Sequence, residues 1–552
     1  MSRSPVIVLQ QNTQRQTGRK AQISNIAAAK TVGDIVRSTL GPQSMLKMLV
    51  DPMAGLQITN DGNCILREID VAHPAARTMI ELARSQDEEV GDGTTSVIIL
   101  TSALLAAAEP LLNRNIHPTI IVEAFNKFLH DALERINTLR VPFDISNRDE
   151  LVKLVRSSLG TKFVNRWMDL MCSLAVDAVT TITLKEGMNP KEVDIKKYAR
   201  IEKIPGAEIE DSTVLRGVCL NKDIVHPQMK RTLRNPRVLL LDCPIEYKKA
   251  ESQTNVEISQ EGDWEVLLKQ EEEYISRICN HILSFKPDVV VTEKGIADYA
   301  LHFFVKAGIS ALRRVRKTDN NRIARATGAT IVNRADEIKE SDIGTGCGLF
   351  EVRKIGDEYF SFFDECTDPK ACTILLRGAS KDILNEVERN LHDAMYVARN
   401  IMFEPFILLG AGSTEMALSV QLTEESSRVE GIIQLAYKAA ASALEVIPKT
   451  LAQNCGASVI RVVTALRAEH AKGNYSTGVD GVKGTLVDVK EIGVFEPIAV
   501  KTNVLKTAVE AASLLLRIDD IVSGVAKKEK PAQGQQSSME VEQEPQGDLI
   551  PE

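Results

Sequence analysis

The chain has 552 residues, 44% of them apolar and 26% charged, with a net charge of −8. At roughly 100–200 residues per domain, that length leads us to expect about three or four domains of ordinary globular composition. The negative balance argues against a wholesale polyanion binder, and an aromatic content of 4% argues against a stacking platform for single-stranded nucleic acid.

In chain order, Val6 to Leu9 is an apolar run too short for a signal peptide. Ala21 to Leu40 spaces Ile26, Ala29, Val32, Ile35 and Val36 along one helical face, and Gly41-Pro42 stops it. Ile58-Thr59 and Cys64 to Leu66, on either side of Asn60-Asp61-Gly62-Asn63, read as two short strands around a turn. Helices resume at His73-Pro74, where proline suits a first turn. Val97 to Leu112 is the longest apolar stretch. Thr101, Ser102, Glu109 and Pro110 interrupt it, so the expectation is a buried helix and no membrane span.

From about Asp194 the texture changes. Val238 to Leu241 and Val289 to Val291 read as buried strands, alternating with helical stretches such as Trp264 to Leu283, and suggest an α/β domain over about 219–372. Tyr247 to Glu261, leading to Glu271-Glu272-Glu273, reads equally as a projecting segment or a surface loop. After Ser380 the chain is helical again over Ile383 to Ile401, Ser413 to Leu422, Ile432 to Leu451 and Ala457 to Glu469. The similar texture of residues 1–150 suggests one helical domain made from both chain ends, with the α/β domain inserted. From Lys527 onward large apolar residues nearly vanish, as in a disordered tail.

Nine cysteines occur without a Cys-x-x-Cys pair, and no His-Glu-x-x-His is present. A zinc site is not expected, the odd and dispersed set fits reduced cytosolic thiols better than a disulfide framework, and Cys366 and Cys372, near neighbours in sequence, are expected to be free.

Gly91-Asp92-Gly93-Thr94-Thr95-Ser96 sits between a polar helix end, Gln86 to Val90, and the apolar helix. Glycines admit an anion close to the backbone, and a new helix offers unpaired N–H groups and a positive dipole end. Asp92 would repel phosphate, so its sensible role is Mg²⁺. The same residues also make a plain helix cap, which local physics slightly favours. No Gly-x-x-x-x-Gly-Lys-Ser/Thr is present, so the run is not a P-loop. Thr39 to Pro42, Asn60 to Gly62 and Gly410 to Glu415 are turn or cap signals that say little singly. Asp393 lies opposite the stripe Val387, Leu391, Ala394, Met395, Ala398, so periodicity makes it a solvated carboxylate. The basic cluster Arg313, Arg314, Arg316, Lys317, Arg322 and Arg325 lacks interleaved aromatics and reads as a solvated or interdomain face.

Taken together, Thr39-Leu40-Gly41-Pro42, Thr59-Asn60-Asp61-Gly62, Gly91 to Ser96, Gly410 to Glu415 and Gly493-Val494-Phe495-Glu496-Pro497 resemble the group II chaperonins in order and spacing, over nearly the whole chain. Glu251 to Thr254, Arg313 to Ala326 and Leu514 to Gly524 resemble, more narrowly, one subunit type of the eukaryotic cytosolic members. The resemblance implies a multidomain α and α/β fold. A largely helical equatorial domain would comprise 1–150 and 405–526, and a hinge-like intermediate domain 151–218 and 373–404. An apical α/β domain would span 219–372 with a lid protrusion near 247–275, followed by a tail, 527–552.

It also implies ATP/ADP and Mg, with Asp92 at the metal and Gly93, Thr94, Thr95 and Ser96 at the phosphates. Asp61 and Asp393 would position or activate the attacking water, and Thr161 and Lys162 would sense the γ-phosphate. Leu40 and Gly41 would lie at the phosphate and base side, and Gly412, Gly481 and Glu496 at the ribose and base, with Lys501 nearby. The implied partners are seven related subunits beside this one in each of two stacked rings, and non-native cytoplasmic clients, which for the family include actin and tubulin. Neither nucleic acid nor membrane is implied. The alternative is a ring subunit that binds nucleotide but barely hydrolyses it. Two departures stand out: Leu409-Gly410-Ala411-Gly412-Ser413 replaces the usual Pro-Gly-Gly-Gly-Ala, and Glu496 replaces a common Asp.

Overall fold

The computed structural model describes residues 14–50, 56–186, 189–247 and 261–523. Val6 to Leu9, Glu251 to Thr254, most of the Tyr247 to Glu261 segment and the tail from Lys527 lie outside those residues.

Three large hydrophobic cores, with a small cluster of Ile204, Cys219, Phe360, Phe362 and Leu375 beside them, organise the described residues. The largest draws on both chain ends, from Ile26 to Ile136 and again from Leu408 to Leu516. At its centre lies the helix Thr94–Asn113, whose residues Val97 to Leu100, Leu104, Leu105 and Ala108 are all buried. That helix has the length and hydropathy of a membrane span, yet 61% of its apolar window is buried inside this core. It packs against Arg19–Arg37 and Pro74–Glu89 from the amino side, and Ile433–Ala443 and Ile498–Leu516 from the carboxyl side. The two ends also pair as strands, Gln14–Thr17 antiparallel to Asp520–Ser523, with Arg15 forked onto Asp520 at 2.7 and 2.9 Å.

The second core spans Val218 to Ala371. The apolar runs form a parallel sheet in the order Ser310–Leu312, Val289–Thr292, Val238–Leu241, Ile331–Val332, crossed over by the helices Glu261–Ser284, Asp298–Ala307 and Lys317–Thr327. All four residues of each central strand are buried, which is why they read as unbroken apolar runs. An antiparallel sheet, Thr232–Arg234, Leu349–Ile355, Glu358–Asp364, Val218–Leu220, completes this body. The third core joins Leu151 to Ile209 with Cys372 to Ile407, so the chain passes through it both on the way to the α/β body and on the way back.

Three expectations fail locally. Cys64 to Leu66 belong to the helix Gly62–Glu68, because the Asp61 carboxylate accepts the Cys64 amide at 3.0 Å and caps it. The strand Leu56–Thr59 pairs instead with Lys47–Val50. Ile432 to Leu451 is two helices, Ile433–Ala443 and Val446–Asn454; Pro448 has no N–H for the Leu444 carbonyl. Asp393 is buried, because the helix Lys381–Phe403 is covered on its polar side too, where Glu386, Asn390 and Asn400 are also buried. The basic cluster divides: Arg313 and Arg314 are exposed, Arg322 is buried beside Asp319, and Arg325 stacks on Tyr198 at 3.6 Å.

Leu104 is fully buried at the middle of the central helix. Leu104→Ala is expected to destabilise the first core by about 2–5 kcal/mol, read as a lower denaturant midpoint for that body's unfolding transition.

Candidate functional site

The glycine run folds as a loop between the helices Pro74–Glu89 and Thr94–Asn113. Gly93 has φ 78 and precedes the second helix with no side chain capping it, so the first-turn amides have no side-chain partner. Gly412, φ 74, precedes the helix Ser413–Ser426 in the same uncapped way. One cavity of about 20 Å³, room for roughly one water, is lined by Gly93, Ser96, Thr414, Glu415, Glu496 and Lys501. Both helix starts therefore border the same space.

Several of the predicted residues lie around or beside these two starts. Asp92 Oδ1 accepts from the Gly93 amide at 2.7 Å, and its carbonyl accepts from the buried Gln86 amide side chain at 2.8 Å. Asp61 Oδ1 accepts from the Thr94 hydroxyl at 3.2 Å, while its Oδ2 caps its own helix. A Cβ on Gly62 would lie 2.8 Å from the Thr95 hydroxyl, so the Asp61 turn and the Gly93 turn touch. Thr161 receives Asn60 Nδ2 on its carbonyl at 2.8 Å. Lys162 forms an ion pair with Asp393, both side chains 12% exposed.

Lys501 sits between Glu415 Oε1 at 2.5 Å and Glu496 Oε2 at 2.9 Å. Burial pushes the Glu496 carboxyl up, against the pull of Lys501. Burial alone would lower Lys501, but Glu415 and Glu496 outweigh it and hold the ammonium above its usual range. Glu415 Oε2 is buried without a protein partner, a free acceptor on the cavity side.

Leu40, Gly41 and Gly481 form a separate corner. Asn454 Nδ2 donates to the Leu40 carbonyl at 2.7 Å, and a Cβ on Gly481 would lie 2.6 Å from Pro42. The helix Val446–Asn454 backs this corner and the Gly412 turn together: added Cβ atoms would meet Leu451 at Gly41 and Pro448 at Gly412.

The helix Lys381–Phe403 lies across the glycine loop. Asn400 Nδ2 donates to the Val90 carbonyl at 2.9 Å and Arg399 to the Glu89 carbonyl at 3.1 Å. The Tyr396 ring occupies the space where any Cβ on Gly91 (φ 72) would fall, 2.4 Å away. Thr59 Oγ1 donates to Glu386 Oε1 at 3.2 Å. Nothing in the sequence pattern singles out Gln86, Asp87, Glu386 or Glu415: the first two lie in a polar helix end, which buried Gln86 ties to the loop, and Glu415 stands at the end of the Gly410 to Glu415 motif.

The matched family model, the TCP-1/cpn60 chaperonin family, covers residues 32–526. The chain belongs to that family. This chaperonin chain is 59% identical to T-complex protein 1 subunit gamma of Bos taurus, across 96% of its own length and 97% of the relative's. It is 58% identical to the Homo sapiens protein of the same name over 96% and 97%, and 58% identical to that of Schizosaccharomyces pombe over 95% and 99%.

Two predictions follow from the chaperonin chain's geometry. Burial, with Asp61 adding to it and Lys162 and Asn63 opposing, pushes the Asp87 carboxyl up to about 6. A carboxyl raised in the folded state stabilises it below the unfolded pKa, and that contribution is lost as pH rises through the folded value. Asp87→Asn, which keeps an acceptor for Asn63, is therefore expected to raise stability by about 1–2 kcal/mol at pH 7.5. The gain should shrink between pH 6 and pH 4, measured by denaturation without nucleotide or metal. In the second, Ala411 has φ 54, a left-handed conformation, with its methyl lodged beside Gly478. Ala411→Gly is expected to be neutral or to stabilise by up to about 1 kcal/mol. Gly412→Ala, at φ 74 and 2.9 Å from Pro448, is expected to cost about 2 kcal/mol or more. Paired denaturation curves check this: no loss for Ala411→Gly beside a clear loss for Gly412→Ala.

Proposed function

We propose that the chain is an ATP-hydrolysing subunit of a cytosolic, double-ring, hetero-oligomeric chaperonin that encloses non-native proteins. The observation that carries this reading is the crossing of the helix Lys381–Phe403 over the glycine loop, which brings Asp393 and Lys162 of the middle core to the Asp61 side of the first. In these terms the first core is the equatorial domain, 1–150 with 405–526. The middle core is the intermediate domain, 151–218 with 373–404, and the α/β body at 219–372 is apical.

The residues fit a magnesium nucleotide. Two uncapped helix starts border a common cavity, and glycines stand where a Cβ would fill the approach. Asp92 would hold Mg²⁺, which would neutralise phosphate charge. Gly93, Thr94, Thr95 and Ser96 would bind the phosphates through backbone and hydroxyl groups. Gly412, Gly481, Glu496 and Lys501, with Leu40 and Gly41, would bound the ribose and base. Asp61 is oriented by the Thr94 hydroxyl and its own helix. Asp393 is held by Lys162, which a γ-phosphate sensed by Thr161 and Lys162 would draw away. The freed carboxylate, with Asp61, would then take the proton of an attacking water, a contribution typically worth about 10²–10⁴-fold.

Assembly draws support from the hairpin Lys47–Val50 and Leu56–Thr59. Met48, Val50 and Ile58 leave one apolar face 64%, 72% and 44% exposed, on a sheet that has two strands among the described residues. An exposed apolar face of this kind marks an interaction surface. Closure would be a population shift, driven by nucleotide binding the closed state better than the open one.

The test is Asp393→Ala in the assembled complex, supplied with Mg-ATP and imaged by cryo-microscopy. The expected result is unhydrolysed ATP at this subunit, with ADP at its neighbours. ADP at this position with unchanged turnover would favour a subunit that binds nucleotide but does not depend on Asp393. A particle of single-chain mass in the presence of ring partners would overturn assembly.

A further inference from the structure

The helix Lys381–Phe403 turns one polar stripe toward the glycine loop and the Asp61 turn. Glu386, Asn390, Asp393 and Asn400 are all buried on it, at spacings that keep them on one helical face. Every neighbour of Asn390 along the stripe has a partner. Glu386 accepts from the Thr59 hydroxyl, whose oxygen in turn accepts from the Asp61 amide at 3.2 Å. Asp393 is paired with Lys162, and Asn400 donates to the Val90 carbonyl. Asn390 follows Glu386 by one turn and precedes Asp393 by one turn, so it stands between the Thr59–Glu386 bond and the Lys162 ion pair.

Asn390 is 1% exposed, and its Oδ1 and Nδ2 are both buried without a hydrogen-bond partner. Among the described residues it alone lacks partners at two buried side-chain atoms. Buried Gln86, beside the loop, shows the ordinary case: Nε2 donates to the Asp92 carbonyl, and Oε1 accepts from Asn503. An amide shut away with neither donor nor acceptor used is costly, and folded cores rarely keep one. A site that holds it open needs a ligand able both to donate and to accept.

We propose that Asn390 is a catalytic residue whose amide holds the attacking water and the terminal phosphate of the nucleotide together. This rests on the reading of the site as one that hydrolyses ATP. Oδ1 accepts one hydrogen of the water while Asp393 accepts the other. An amide oxygen is too weak a base to take a proton, so the water loses only the hydrogen facing the carboxylate. Nδ2 donates to an oxygen of the γ-phosphate and fixes the approach of the two reactants. The water oxygen bonds to phosphorus, and the bond from phosphorus to the β–γ bridging oxygen breaks, its electron pair leaving on ADP. One water proton passes to Asp393 and the other stays on the inorganic phosphate. A neutral group suits this place, because Asp61, Glu386 and Asp393 already bring carboxylates toward the phosphate and a further one would repel it.

The test uses the assembled complex with this chain carrying Asn390→Leu, which nearly keeps the volume and removes both polar ends. Mg-ATP is added, and the nucleotide at this subunit is identified by cryo-microscopy once the neighbouring positions hold ADP. Hydrolysis here is expected to slow by roughly 10–10²-fold, which leaves ATP at this position, while ADP supplied alone fills it as in the wild type. Asn390→Ala serves the same readout if the leucine chain does not assemble. Loss of ADP binding would make the amide a support of the pocket and overturn the proposal. So would ADP at this position after Mg-ATP. Asp393→Ala imaged in parallel separates the two ways of failing: if it retains ATP, only the role of Asn390 falls, and if it too shows ADP, the hydrolytic reading of the site falls with it.

Discussion

The contact between the helix Lys381–Phe403 and the loop Val90 to Gly93 is the constraint on which the rest of the molecule depends. It has three parts that only work together: the Tyr396 ring over Gly91, the Asn400 amide on the Val90 carbonyl, and the Lys162–Asp393 ion pair nearby. The first needs a residue without a side chain. The second leaves a buried carbonyl unpaired if the helix shifts, at about 1–3 kcal/mol. The third is two nearly buried charges, which tolerate each other's presence far better than each other's absence. A contact of this kind has discrete arrangements, so a small change of charge in the loop is felt along the whole helix.

The charge balance of the site works in the same direction. Carboxylates crowd this region: burial pushes both Asp87 and Glu386 up, and in each case Asp61 adds to the shift while Lys162 opposes it. The cations that offset them, Lys162 for both and Arg389 for Glu386, belong to the middle core. Lys501 is fixed in the first core between Glu415 and Glu496, whereas Lys162 and its acid Asp393 both belong to the middle core, on the side of the Asp61 turn. Under the proposed function Lys162 would be the cation that exchanges its acid for phosphate, and the middle core the part that responds.

The sequence displayed the fold better than the site. Fully buried strands such as Val238–Leu241 announce themselves, because both faces are apolar and the run is unbroken. The central helix was legible for the same reason. Asp393 was not, because periodicity reports which face meets the local core and is silent about a second body covering the other face. Asp61 misled in a related way. Asn-Asp-Gly is a turn signal wherever it occurs, and only the Cys64 amide on the Asp61 carboxylate turns the following residues into a helix. Five short motifs in order conveyed what none of them carried alone, since their common meaning is a three-dimensional site assembled from distant segments.

The strands through which the chain enters and leaves the α/β body are paired with each other. Ala199–Pro205 and Cys372–Gly378 run side by side in parallel along their full length, Cys372 beside Ala199 and Gly378 beside Pro205. The Gly206 amide, at φ 91, closes the end of the ladder on the Gly378 carbonyl at 2.9 Å. Two independent tethers would let the body flop; two strands hydrogen-bonded to each other must tilt as one ribbon. The helix Lys381–Phe403 begins three residues after that ribbon ends. Under the proposed function a shift of the helix against the glycine loop would be passed to this ribbon at its Gly378 end, beside Pro205 where the chain leaves for the α/β body.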